Sequence, residues 1–179
     1  MDRNSRLNRI LRHLILRSFP KLRRRNITIR WCTDDELLYY TVHAEQYVIA
    51  VNSCLEQAGR RVLEGGIAHE LCHIDADLKL GWYQRRLAWN RYSESYWYRM
   101  REERATEWRV VELGYGLQLL NFIRFAHRLG YTFAREHGLF YAEILRAEVL
   151  RTQKTAPTGE VPQRRRSTAK GAGAVPIWV

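Results

Sequence analysis

Cysteine is scarce in this chain of 179 residues: Cys32, Cys54 and Cys72 stand far apart and form no CxxC pair. That rules out a disulfide framework, and reduced thiols in a cytosolic setting are the simplest reading. Long apolar runs are lacking too. Nothing approaches the ~20 uninterrupted apolar residues of a spanning helix, and Arg9, Arg12 and Arg17 interrupt the place where a signal peptide would need its apolar run. A soluble, cytoplasmic protein with no transmembrane segment is expected. Acidic residues are missing from one region above all, since residues 1–31 hold ten Arg and Lys but a single Asp.

What is present suits one domain with a sizeable core, since hydrophobic residues make up 46% of the chain. Lys and Arg exceed Asp and Glu by 30 to 19, a net charge of +11, which suits acidic partners such as nucleic acid and says nothing about fold. Arg23-Arg24-Arg25 is the densest basic point near the start, and Arg164-Arg165-Arg166 forms a second cluster.

Within residues 4–18, Leu7, Ile10, Leu11, Leu14 and Ile15 recur at helical spacing, predicting an amphipathic helix ended near Pro20 with a solvated basic face. Three β-rich runs follow at 26–31, 37–43 and 46–51, and "HAEQ" serves as a hairpin connection between the last two. Helical patterns then cover about 56–80, 91–113, 117–129 and 139–151, with "GYG" at 114–116 as a break. Strands first and helices afterwards predict an α+β domain over 1–151, a small antiparallel or mixed sheet packed on a helix. Residues 152–179, rich in Pro, Gly, Thr, Lys and Arg, read as a disordered basic tail.

The predicted helix at 56–80 contains "HELCH", His69 to His73. Positions i and i+4 lie on one face of a helix, so both imidazoles can address one ion. Glu70 is rotated about 100° from His69, too far to compete as a ligand and near enough to reach a water on the ion. Two ligands and a general base from one rigid turn suit metal-assisted hydrolysis. Gly65 and Gly66 share the histidine face. Mid-helix glycine costs about 0.5–1 kcal/mol relative to alanine, so the pair calls for the close approach of a strand, a substrate chain or a metal. With small residues there, this face suits the floor of a cleft.

A catalytic zinc has three protein ligands. In "REERATEWRVVELG", 101–114, Glu103 shares a helical face with Met100, Glu107 and Val110, whereas Glu102 shares one with Arg99 and Arg109. Glu103 is therefore expected to look inward. Two inward acids are costly unless paired or metal-bound; Glu103 as ligand and Glu107 as the group orienting a histidine ring accounts for both.

These segments resemble the gluzincin branch of the zincin metallopeptidases, where HExxH is followed by a second helix bearing Glu-x-x-x-Asp. The resemblance is to the minigluzincins and the ImmA/IrrE-type peptidases, and it covers about residues 27–150. "YVIAVNSCLEQAGRRVLEGGIAHELCHI" is similar to their edge strand and active-site helix, "ERATEWRVVELGYG" to their third-ligand helix. The resemblance implies a zinc-dependent protease that hydrolyses peptide bonds. His69, His73 and Glu103 would be the metal ligands and Glu70 the catalytic base. It departs at Glu107, where Asp is usual. Aligning Ala105-Thr106 with a variant pattern makes Glu102 the ligand instead. Tyr92, Tyr96, His127 and Tyr131 all stand as candidate oxyanion donors, and the 46–51 strand as a rim for an extended substrate. The competing reading is a non-catalytic zinc protein that binds nucleic acid or a protein partner through its basic segments. A protease recruited to DNA or DNA-bound proteins combines the two.

Overall fold

A computed structural model describes residues 3–43, 45–131 and 138–155. Helix α1 (Ser5–Ser18) packs Leu7, Ile10, Leu11 and Leu14 into the core and is followed by a 3-10 turn, Pro20–Arg24. Strands β1 (Ile27–Cys32), β2 (Leu38–His43) and β3 (Gln46–Asn52) come next. After a short turn at Ser53–Leu55, the chain forms α2 (Arg60–Asp77), α3 (Trp82–Glu94), α4 (Tyr96–Glu112), α5 (Gly116–Arg128) and α6 (Tyr141–Thr155). The architecture is α+β, mostly helical, with one small mixed sheet. Helix α6 continues through residues 152–155, which the sequence placed in the disordered tail, and the tail's residues from 156 on lie outside the described residues.

The sheet order is β1-β3-β2. β3 runs parallel to β1, with Ile29 opposite Ile49, and antiparallel to β2, with Tyr40 opposite Ile49. β2 and β3 form the expected hairpin, whose two-residue connection includes Glu45 at φ 68°. The central place of β3 corrects one expectation. Its backbone groups are paired on both sides, so the 46–51 strand cannot be the rim that takes an extended substrate. The antiparallel edge is β2.

α2 is the central helix, and every residue from Val62 to Cys72 is buried. Its two glycines have a physical reason, though not the one expected. A Cβ at Gly65 would lie 2.2 Å from the backbone oxygen of Gln118, and one at Gly66 would lie 2.9 Å from the Phe122 ring. The glycines admit α5, not a substrate. On the remaining sides Leu63, Ile67, Leu71 and Ile74 are fully buried against the sheet and the other helices.

Helix α3 was not foreseen as a separate element. Gly81 starts it, with the side chain of Gln84 reaching back to the Gly81 N–H, and Ser95 ends it while capping α4 through the Tyr98 N–H at 3.3 Å. None of its residues is buried, so it carries no apolar stripe for a periodicity argument to find. It is held by polar ties and by the edge-on contact of Trp89 with Tyr40 of β2. Arg85 of α3 lies 3.0 Å from the Asp77 carboxylate at the end of α2, and that carboxylate also accepts from Tyr47 of β3 at 3.2 Å.

Candidate metal centre

Helix phase puts His69 and His73 on the side of α2 that faces α4. Their Nε2 atoms are 3.0 Å apart. Glu103 of α4 closes the triangle, with Oε2 3.2 Å from His69 Nε2 and Oε1 3.4 Å from His73 Nε2. Three donors around a tetrahedral zinc at ~2.0–2.1 Å are separated by about 3.3 Å. The three side chains thus have the spacing of a ligand set, and together they make a possible metal-binding triad. Both imidazoles can also donate to the Glu103 carboxylate, but each Nε2 carries at most one N–H, too few to join all three pairs at once.

Each side chain of the triad has a neighbour that fixes it, except in one place. Thr106 Oγ1 lies 3.2 Å from His73 Nδ1. The Tyr92 hydroxyl donates to Glu103 Oε1. Tyr40 of β2 stacks on the His73 ring at 6.3 Å between centroids and meets Trp89 edge-on at 5.6 Å. The exception is His69 Nδ1, which is buried and has no hydrogen-bond partner among the described residues.

The electrostatics follow from burial and these contacts. Burial alone would push the Glu103 carboxyl up, but hydrogen bonds and charge from both imidazoles outweigh it and hold the pKa well below the usual carboxylate range. Burial lowers His69, and Glu103 only partly opposes it. For His73, burial works downward, yet its hydrogen bond with Glu103 and the charges of Glu103, Glu70 and Glu102 raise the ring overall. Without a cation, the Glu103 charge thus favours a proton on His73. A bound cation would replace that proton, since a ligating histidine must be neutral.

Glu70 is buried one residue from His69. Burial raises its pKa to about 8; His73 opposes the shift, while the carboxylates of Glu103 and Glu36 add to it. Glu102, the alternative third ligand, is turned away and pairs with Arg101 at 3.2 Å. Glu107 is buried, but the structure does not place it on a histidine ring. Its Oε2 accepts from the Leu139 N–H, and burial raises it to about 8, with Glu103 adding to the shift and the Leu139 N–H opposing it. The group on the histidine is Thr106.

No family model, curated protein or solved structure matches this chain. The site therefore has to speak through its own geometry.

Of the four candidate oxyanion donors only Tyr92 touches the triad. Tyr96 is half exposed against Trp97, Tyr131 donates to the Asp35 carbonyl at 3.2 Å, and His127 Nδ1 meets the Tyr141 hydroxyl. Sequence reasoning missed Thr106 and Tyr40. Thr106 sits three residues after Glu103, a spacing that places both on neighbouring faces of α4. That spacing was the available signal.

Proposed function

We propose that the protein is a zinc-dependent metallopeptidase with a zincin-like arrangement, hydrolysing peptide bonds with His69, His73 and Glu103 as ligands and Glu70 as general base. The observation that carries this reading is the convergence of two Nε2 atoms and one carboxylate at 3.0 to 3.4 Å beside a buried, non-ligating glutamate. Two imidazoles and one carboxylate are a donor set known for catalytic zinc, which keeps a fourth position open. A purely structural metal gives no reason to bury a second carboxylate next to it.

The triad would hold a dication, which would supply Lewis acidity toward the scissile carbonyl and the attacking water and would draw the Glu70 pKa down from about 8. Glu70 takes a proton from the water as it attacks and hands that proton to the departing amine. Tyr92 fixes the Glu103 carboxylate and Thr106 the His73 ring, so that both face one point. The exposed edge of β2 is where an extended substrate adds as a further strand, its backbone paired and its side chains alternating. Tyr40 on that strand already reaches His73.

The test couples metal content with activity. Protein purified without chelator is expected to carry about one zinc per chain by mass spectrometry, and Glu70→Gln to keep that zinc while losing cleavage of a casein-type substrate. Equal proteolysis by both proteins removes Glu70 from the mechanism. Failure to bind zinc after refolding in its presence removes the whole reading.

A further inference from the structure

Most cations of the N-terminal segment pair with no carboxylate among the described residues. Residues 3–33 contain ten Arg and Lys and no Asp or Glu. Of those ten, only Arg3 forms an ion pair among the described residues, with Glu56. Arg6 is spent on the carbonyls of Glu56 and Ala58, and Arg23 on that of Leu16. Arg9, Arg12, Lys21 and Arg24 are exposed and meet no carboxylate among the described residues. Elsewhere the basic residues are commonly paired: Arg60 with Glu64, Lys79 with Asp75, Arg85 with Asp77, Arg104 with Glu143, Arg109 with Glu112.

These cations are held in place on ordered backbone. α1 is 14 residues long, about 21 Å at 1.5 Å per residue, and the 3-10 turn with Lys21, Arg23 and Arg24 follows directly. Arg6, Arg9, Ile10 and Arg60 line a cavity of about 270 Å³ that reaches the start of α2, where Arg60 pairs with Glu64. A surface dominated by cations and fixed in shape, with Glu56 and Glu64 only at its margin, is the electrostatic footprint of a polyanion-binding face.

We infer that α1 and the turn after it bind the phosphodiester backbone of a nucleic-acid duplex, without reading its sequence. Two features favour this partner over other anionic surfaces. Four apolar side chains of α1 are already buried, Leu7 and Leu14 at 0% exposure, and Leu16 at 51% is its one exposed large apolar side chain, too little apolar face to enter a lipid headgroup layer. The segment also shows no exposed aromatic platform: Phe19 is buried and the Trp31 indole donates to the Arg3 carbonyl. Binding to single strands by base stacking is thereby disfavoured. Contacts with the backbone of a duplex need only positioned cations.

Fluorescence anisotropy of a labelled random-sequence duplex with the full chain tests this, between about 50 and 200 mM salt. Affinity is expected to fall linearly on logarithmic axes with a slope of about −0.9 per phosphate contacted. Replacing Arg9→Ala, Arg12→Ala and Arg24→Ala together should flatten that slope by about 3 and weaken binding at least about tenfold. These side chains are exposed, and an unchanged zinc content and thermal midpoint show that the variant is folded. An unchanged slope overturns the assignment. So does loss of binding when only Arg164, Arg165 and Arg166 are neutralised, or tighter binding to anionic phospholipid vesicles than to the duplex.

Discussion

The N-terminal segment and the α2–α4 site treat charge in opposite ways. Around α1 the charged groups are cations, most of them exposed, and water solvates them at little cost. Between α2 and α4 they include the acids Glu70, Glu103 and Glu107, each under 10% exposed. Burying an ionised carboxylate is expensive unless it is paired or metal-bound. Two of these three respond as that cost demands, their pKa values rising to about 8. Glu103 does the reverse, because two imidazoles face it. Exposed charge of one sign seeks a partner outside the molecule, and buried charge needs one inside. The metal reading supplies the inside partner and the nucleic-acid inference the outside one.

The largest expected effect tests the inside half. Glu103→Ala should weaken zinc binding by orders of magnitude, since it removes one of the three proposed ligands, whereas Glu102→Ala should be nearly silent because that side chain pairs with Arg101. Measured side by side by competition with a zinc chelator, the two variants separate the roles. Release of the metal by Glu102→Ala alone would reverse them.

The second effect concerns what holds α2 in place. A Cβ at Gly65 would overlap the Gln118 backbone at 2.2 Å, and backbone cannot swing aside as a side-chain tip can. Gly65→Ala should cost about 1–3 kcal/mol or more, which lowers the thermal midpoint by several degrees in a protein of this size. A midpoint at or above wild type in calorimetry would mean that α5 yields easily at this contact.

The third effect is smaller. Thr106→Val keeps shape and removes the hydroxyl from His73 Nδ1, so zinc affinity should drop roughly 10–100-fold, as for lost partners of metal-bound histidines. Glu107→Gln should leave zinc affinity closer to wild type, because the carboxylate is tied to the Leu139 N–H and not to a ring. Equal losses for the two would place Glu107 back on the histidine.

What could be read in the sequence depended on how local each cause is. The inward turn of Glu103 and the outward turn of Glu102 follow from a 100° step between neighbours on one helix, and both are seen. The strands at 27–32, 38–43 and 46–52 were legible within a residue or so, because β-branched and aromatic runs are local signals. The central position of β3 was not, since it depends on β1 pairing across the intervening β2. The anchor of Glu107 lies 32 residues away at Leu139, and no spacing rule reaches that far. Likewise the reason for Gly65 is a contact with α5, which a helical wheel of α2 alone cannot distinguish from an open cleft.

The smallest effect probes the buried acids that form no ion pair among the described residues. Glu107 has a folded-state pKa of about 8 against an ordinary 4.5, so the native state holds its proton where the unfolded chain has lost it. The stability tied to that proton is complete below about 4.5 and is lost as pH rises through about 8. Glu70 acts in the same direction. His69, lowered by burial, acts oppositely around neutral pH, and His73, raised by Glu103, acts with the acids. These contributions overlap in the wild type. A comparison with Glu107→Gln separates one of them, because the amide stays neutral at every pH. In chelator, the wild-type thermal midpoint should fall between pH 5 and 8 by a few degrees more than that of the variant. Parallel curves would show that Glu107 titrates normally, which would require water at the Leu139 contact despite its 3% exposure. A steeper fall in the variant would mean that the charged carboxylate stabilises the fold, and the burial argument for this residue would then be wrong in sign.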